Sequence, residues 1–324
     1  MMILARYEYY RPSTVEGAVA LLKKENTIIA GGSDVMPQLK TATIEPEALV
    51  DLAKIDALKT VQETEEGIEI GAMAVLSHLA KDELILKKLP ALSQAARNVA
   101  SPQIRNRGTI AGNLMQARRC FYYNQTKEWR RGIPMCFKVG GDRCIQIPNS
   151  PVCRAIYYSD MAPALIAYGA KVLVHTANGS RIVSCMELME THCKDQDEPM
   201  LIEKFLIPKE AYTDAWSRFE KYSLRGSIDF PTINFACVCN AGGVSLTVGA
   251  IATHVLELVQ TEEYLNAQGE AFSVEEATKI ALDEMKKKSE IVRESGISVQ
   301  VKRGTFCYVE SMLKELKAHL TPQS

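Results

Sequence analysis

The sequence carries no excess of charge of either sign: 38 Lys+Arg stand against 39 Asp+Glu, a formal −1 over 324 residues. That balance excludes a protein that grips nucleic acid or an anionic membrane by its overall charge. No apolar run approaches the roughly 18 residues of a membrane span. The opening MMILARYEYYRPSTVEG has no basic n-region, apolar h-region or small-residue cleavage site. The expectation is a soluble, cytoplasmic protein. Histidine is sparse, with His78, His175, His192, His254 and His319 scattered along the chain. No Ser/His/Asp or paired-carboxylate arrangement accompanies them, so each reads as structural or surface and no residue is nominated as catalytic. Neither G-x-G-x-x-G nor G-x-x-x-x-G-K-[ST] is present, which leaves a Rossmann or P-loop assignment without a motif. Disorder as the main state is excluded by 47% hydrophobic and 24% charged residues, and the length suggests about two domains.

What the chain does have is an uneven distribution of cysteine. Of nine, Cys120, Cys136, Cys144 and Cys153 fall within 34 residues, where an even spread would place about one. The odd count without a secretion signal disfavours a disulfide framework and favours metal or redox chemistry. The others, Cys185, Cys193, Cys237, Cys239 and Cys307, read as ordinary thiols, and Cys237 and Cys239 alternate in NFACVCN as same-face strand residues do. Zinc sites usually include a close C-x2-4-C pair, which the cluster lacks. A four-iron cluster accepts thiolates from a longer wrapping loop. From 118 to 154 there are eight basic residues (Arg118, Arg119, Lys127, Arg130, Arg131, Lys138, Arg143, Arg154) and two acidic ones (Glu128, Asp142), a local +6 that would offset an anionic cluster. On these residues alone, iron–sulfur, zinc and unliganded thiols all stay open, and the arginines also read as a solvated face.

Ser13-Thr14-Val15-Glu16 has the form of a capping box and predicts a helix over 13–24. A short strand at 27–30 then leads into Gly31-Gly32-Ser33-Asp34. Short strands are expected over 48–76, helical material over 77–96 interrupted at Pro90, and a second glycine loop at Thr109-Ile110-Ala111-Gly112-Asn113. Residues 118–158 show little periodicity. A helix running into a strand is expected over 161–174, a strand over 201–207, an antiparallel meander from Trp216, and helices at Val274–Lys288 and Ser298–Leu320. The boundary between two domains falls near 210–215. Each glycine loop alone is weak evidence, since most such pairs are turns, but each offers backbone N–H groups that can form a phosphate nest. Two nests about 80 residues apart suit one long dinucleotide such as FAD better than a mononucleotide.

Taken together, AGGSDVMPQL (30–39), T-I-A-G-N-L (109–114), Ser159-Asp160-Met161-Ala162-Pro163-Ala164-Leu165 and F-E-K-Y-S-L-R-G-S-I-D-F-P (219–231) resemble the FAD-binding medium subunits of the molybdenum hydroxylase (xanthine dehydrogenase) family, nearly end to end. The resemblance implies an α+β fold: a two-subdomain FAD-binding domain of the PCMH, or vanillyl-alcohol-oxidase-like, type over 1–213, and over 214–324 a C-terminal α+β domain of antiparallel sheet plus helices, of the CO dehydrogenase flavoprotein type. Ala111 departs from the family's first glycine of G-G-N. An insertion of about 45 residues separates the second and third motifs, and it holds the four cysteines at about 116–158. A cysteine-bearing insertion there is similar to that of 4-hydroxybenzoyl-CoA reductase β subunits, whose extra loop carries a [4Fe-4S] cluster. Flavin subunits of some bacterial molybdenum aldehyde oxidoreductases carry a comparable insertion with different cysteine spacing.

Residue by residue, the resemblance implies that Ile29, Ala30, Gly31, Gly32, Ser33, Asp34 and Val35 cradle the FAD pyrophosphate. Gly108, Thr109, Gly112, Asn113 and Met115 would flank its phosphate and ribityl region, Ser159 and Asp160 its hydroxyls, and Lys221 the flavin. Val99, Ala100, Leu201 and Ile202 would pack on the cofactor, ordinary core packing being the other reading of these four. Cys120, Cys136, Cys144 and Cys153 would be the metal ligands. The implied role is electron transfer: from a ferredoxin-like donor through [4Fe-4S] and FAD to a partner [2Fe-2S] small subunit and a molybdenum-cofactor large subunit, in a dimer of heterotrimers that removes the phenolic hydroxyl of 4-hydroxybenzoyl-CoA. The alternatives are the flavin subunit of an aldehyde oxidoreductase or xanthine dehydrogenase-type hydroxylase and, outside enzymes, a zinc-stapled nucleotide-binding protein.

Overall fold

A computed structural model describes residues 6–194, 198–226, 228–291 and 299–321. The first layer is a three-stranded parallel sheet in which Glu8–Tyr10 and Asn26–Ile29 flank Ala48–Asp51. Ala48–Asp51 is buried at every position, as a central parallel strand covered on both faces must be. The helix expected over 13–24 is shorter, Val15–Val19. Thr14 rather than Ser13 caps it, its hydroxyl accepting from the Gly17 N–H at 3.1 Å. Strand Asn26–Ile29 then passes through the A-G-G-S-D loop into helix Val35–Thr41.

The second layer is a five-stranded antiparallel sheet ordered Val61–Glu63, Gly67–Gly71, Met200–Pro208, Lys171–Thr176, Gly179–Ser184. Its register brings Ile68 opposite Ile207 and Ile70 opposite Phe205, all fully buried. Between these strands the chain forms helices Leu76–Leu79, Glu83–Lys88 and Pro90–Asn98. Pro90 starts the last of them, because the first helical position has no use for the N–H that proline lacks.

A four-stranded antiparallel sheet forms the third layer, ordered Leu256–Glu257, Gly243–Gly249, Ile233–Asn240, Trp216–Tyr222. Its hairpin pairs Asn240 with Gly243, which turns at φ +120°, a conformation open to glycine. Cys237 and Cys239 both face the helices Val259–Gln268, Val274–Lys288 and Val309–Leu320 that cover one side of this sheet. The helix expected over 298–320 is broken into Val299–Gly304, a 3-10 turn Thr305–Tyr308 and Val309–Leu320. Residue 298 lies outside the described residues. The tighter turn seats Phe306 in the core at 1% exposure and follows Gly304, a poor helix former.

Helix Met161–Ala167 joins the layers. All seven of its residues are buried, and it packs on helix Pro90–Asn98 and on strands Ile233–Asn240 and Gly243–Gly249. The apolar surround of M-A-P-A-L-I-A suits a helix with no face left for water. Among the described residues no helix is long and apolar enough to cross a membrane.

The stretch over 116–158 is irregular, as its lack of periodicity predicts. Its two ends are clasped by an antiparallel bridge, Arg119 N–H to Ile156 O at 2.7 Å and Ile156 N–H to Arg119 O at 2.9 Å. Inside the clasp lie one short helix, Lys127–Arg130, capped by Thr126, and a 3-10 turn, Phe137–Val139, ended by Gly140 at φ +86°.

Candidate functional site

Two cavities meet at the glycine loops. The first, about 520 Å³, is lined by Ala30, Gly31, Gly32, Ser33, Asp34 and Val35 on one side and by Thr109, Gly112, Met115 and Ile202 on another. The second, about 300 Å³, is lined by Val99, Ala100, Gly108, Asn113 and Asp160. Ser33, Asp34, Thr109 and Gly112 line both, so the two volumes adjoin at the loops. The loops are packed directly against each other: a Cβ on Gly31 would stand 1.8 Å from the Arg107 carbonyl oxygen. Gly31 is therefore demanded by loop-on-loop packing as well as by any phosphate it faces.

Several polar side chains of these motifs serve protein partners. The Asp34 carboxylate accepts the Ala117 N–H and the Gln38 amide, each at 2.9 Å, and is ion-paired to Arg119. Thr109 caps helix Ile110–Leu114 by accepting the Gly112 N–H at 3.1 Å. Asn113 spends its carbonyl on the Ser159 hydroxyl at 2.7 Å and the Met161 N–H at 3.1 Å. Ser159 itself lines neither cavity; it ties the second glycine loop to helix Met161–Ala167. The Ser33 hydroxyl, by contrast, lies at the junction of the two cavities with no protein partner among the described residues.

Asp160 and Lys221, distant in sequence, form a buried pair beneath the second cavity. Their side chains are 5% and 6% exposed, and Lys221 Nζ donates to Asp160 Oδ2 at 2.8 Å and to the Asn98 carbonyl at 2.9 Å. Asn234 Nδ2 donates to Asp160 Oδ1 at 2.9 Å. Burial pushes the Asp160 carboxyl above the usual range, and the Lys221 charge with the Lys221 and Asn234 hydrogen bonds pulls it back. Asp160 lines the cavity and Lys221 supports it from behind.

Strand alternation separates the apolar candidates. Ile202 lines the first cavity, whereas Leu201, its neighbour on strand Met200–Pro208, is fully buried in a cluster with Ala18, Val50, Leu52 and Ile55. In the same way Ile28 and Ala30 line that cavity and Ile29 does not. Ala100 adopts φ +39°, unusual for a residue with a Cβ, at the rim of the second cavity.

Other residues at the cavities escape a reading of motifs. Lys23, Lys24 and His192 line the first, and His192 reaches the Gln116 carbonyl at 3.1 Å. The second is walled by Tyr158 and Phe230, with ring centroids 5.3 Å apart, and by Arg119, whose guanidinium lies 5.3 Å from the Phe230 ring. The Nε of Arg119 is buried without a hydrogen-bond partner among the described residues. Lys23-Lys24 carried a signal in the sequence as a basic pair just ahead of the first glycine loop, Arg119 as part of the basic cluster over 118–154 and Phe230 as part of the motif over 219–231.

The four clustered cysteines converge. Cys120, Cys136, Cys144 and Cys153 all line one small cavity of about 20 Å³, walled also by Tyr122, Tyr123, Phe137, Ile145, Lys138 and Arg143. Burial pushes the Cys120 thiol up, opposed by hydrogen bonds from the Tyr123 and Tyr122 backbones and from the Gln146 amide, whose Nε2 stands 3.9 Å from Sγ. Among the described residues, no three His, Cys, Asp or Glu side chains form a group that could hold one metal ion. The donor set is thus four soft sulfurs lining a common space in an aromatic shell.

Comparison with known proteins places this architecture. Residues 5–210 match the family described as the FAD binding domain in molybdopterin dehydrogenase. The carbon monoxide dehydrogenase medium chain of Hydrogenophaga pseudoflava is 39% identical over 116 residues, 35% of this chain and 40% of that one. The xanthine dehydrogenase FAD-binding subunit of Escherichia coli is 26% identical over 237 residues, 71% of this chain and 68% of that one. Among solved structures, carbon monoxide dehydrogenase from Hydrogenophaga pseudoflava superposes with TM-score 0.76 at 24% identity, over 99% of this chain and 100% of that one. Quinoline 2-oxidoreductase from Pseudomonas putida 86 does so with TM-score 0.74 at 18% identity, over 98% of each chain. Those structural likenesses establish the α+β fold. With its glycine loops at the two adjoining cavities, the match over 5–210 makes this chain a member of the FAD-binding domain family of molybdopterin dehydrogenases.

Proposed function

We propose that this chain is the flavin and iron–sulfur electron-transfer subunit of a molybdenum enzyme. In this reading residues 1–213 hold FAD along the two cavities, 214–324 form the C-terminal domain, and Cys120, Cys136, Cys144 and Cys153 hold a [4Fe-4S] cluster. The observation that supports it most is a join. Arg119 lines the second cavity, ion-pairs with Asp34 of the first glycine loop, and is covalently followed by Cys120 of the thiol cavity. The two candidate cofactor sites therefore share one residue boundary.

When bound, FAD supplies one- and two-electron exchange and the cluster one-electron exchange. The chain's own part is placement and potential. Ser33 offers its unpartnered hydroxyl where the cavities meet. Asp34 fixes the loop through its three partners. The Lys221–Asp160 pair keeps the floor of the second cavity charged yet dry, and Tyr158 and Phe230 give it an apolar wall. Around the thiols, Tyr122, Tyr123 and Phe137 exclude water while Lys138 offsets thiolate charge. Zinc is the weaker reading, since the segment lacks the close C-x2-4-C pair usual in zinc sites.

The proposed partners are a molybdenum-cofactor large subunit, a [2Fe-2S] small subunit and a ferredoxin-like donor. The proposed substrate of the assembly is 4-hydroxybenzoyl-CoA, dehydroxylated reductively to benzoyl-CoA in the cytoplasm, a reading that rests on the cysteine-bearing insertion. A xanthine dehydrogenase- or aldehyde oxidoreductase-type hydroxylase is the second reading, favoured by the likeness to the Escherichia coli subunit over 71% of this chain.

The test is iron, acid-labile sulfide, zinc and flavin content of anaerobically purified protein beside a Cys136→Ser variant. About four iron and four sulfide with about one FAD, iron lost and flavin kept in the variant, is the expected result. Zinc without iron would overturn the electron-transfer role of the insertion.

A further inference from the structure

A fourth cavity, about 400 Å³, shares no lining residue with the other three. It is lined by Lys81, Arg97 and Arg105 with Ser77, Asn106 and the exposed side chain of Leu86. Several cations elsewhere in this near-neutral chain are paired, Lys127 with Glu45, Arg143 with Asp142 and Arg154 with Glu290. Here, among the described residues, none of the three cations has a carboxylate partner, and no Asp or Glu lines the cavity. Arg105 is held below the usual guanidinium range by its burial and by the facing charge of Arg97. Three like charges around one concavity, without a counter-charge, are unfavourable until an anion arrives.

We infer that this cavity is a binding site for a phosphate-bearing small molecule of high negative charge, such as an organic di- or triphosphate. A monocarboxylate would leave two cations uncompensated, whereas a pyrophosphate group carries the charge and the oxygen geometry that two guanidinium forks and an ammonium recognise. The volume lies in the range of small-molecule sites, and the Leu86 wall offers an apolar surface to the remainder of the ligand. The site is linked to the flavin cavity. Arg105 Nη1 donates to the Val99 carbonyl at 2.6 Å, and the next residue is Ala100 at φ +39°; both Val99 and Ala100 line the second cavity. An anion that draws on the Arg105 guanidinium therefore acts on a strained peptide beside the flavin. None of this depends on the iron–sulfur reading.

The experiment uses the full chain saturated with FAD, so that the glycine loops do not compete, and inorganic pyrophosphate as probe, with sodium acetate at matched ionic strength as control. Calorimetry should show saturable pyrophosphate binding with Kd below about 1 mM and none for acetate, accompanied by a change in flavin absorption. In Lys81→Gln/Arg97→Gln the affinity should fall by at least about tenfold with FAD content unchanged, and Lys81→Arg/Arg97→Lys should keep most of it. Absence of saturation would overturn the inference and leave the cations to solvent or to a partner's carboxylates. Equal affinity in the neutral double variant, or equal loss in the charge-conserving one, would overturn it too.

Discussion

At Asp34 a carboxylate that its motif nominates for the cofactor is occupied by Ala117, Gln38 and Arg119. Its identity in A-G-G-S-D was legible, but its use was not, because both of its long-range partners lie more than eighty residues away. Asp160 and Lys221 teach the same lesson: two residues read separately as cofactor contacts meet as one ion pair. Removing one partner leaves a buried charge, so Lys221→Met should cost about 3–5 kcal/mol near neutral pH in urea unfolding. The loss should shrink as pH falls and Asp160 takes up a proton, and Lys221→Met/Asp160→Asn should recover much of it. A single variant as stable as the parent at pH 7 would show that the pair contributes nothing.

At the scale of elements, the glycine loops are positioned by each other. The Cβ of Gly31→Ala would collide with the Arg107 carbonyl, and that backbone has little room to retreat beneath the loop. The variant should lose about 1–3 kcal/mol of stability and much of its FAD, read as flavin per chain and by thermal unfolding. Full occupancy with an unchanged melting temperature would mean that the loops separate freely. Strand and helix periodicity was readable for Val274–Lys288 and for strand Met200–Pro208. What periodicity could not tell was which of Leu201 and Ile202 faces the cavity. Alternation says that they differ, and only the sheet's position against the parallel layer says which is which.

At the scale of the molecule, the insertion is fastened to both halves. Its end Arg119 reaches Asp34 of the first layer, and Arg154 reaches Glu290, which also accepts from Thr253. The C-terminal layer carries its own pH sensitivity. Glu262 accepts the Leu246 N–H at 2.6 Å, yet burial, with the charges of Glu257 and Glu284, raises its pKa to about 7. A carboxyl raised in the folded state holds its proton there longer than in the unfolded chain. Its stabilisation is full below about pH 4.5 and is lost as pH rises towards 7. Glu262→Gln should therefore be more stable than the parent at pH 8 by about 1–2 kcal/mol, allowing for partial exposure, with the difference vanishing near pH 4. Parallel stability curves from pH 4 to 8 would show that Glu262 titrates normally.

The sequence by itself determined the α+β composition, the order of the motifs, the two glycine loops and the unusual cysteine density of one segment, because local backbone demands and residue chemistry are written in short stretches. Tertiary structure alone decided that the four thiols line one cavity, that Arg119 joins it to the cavity beside the second glycine loop, and that Lys81, Arg97 and Arg105 line one concavity. Charge compensation and convergence are properties of space: they depend on which distant groups fold back to meet a side chain, and no spacing along the chain records that.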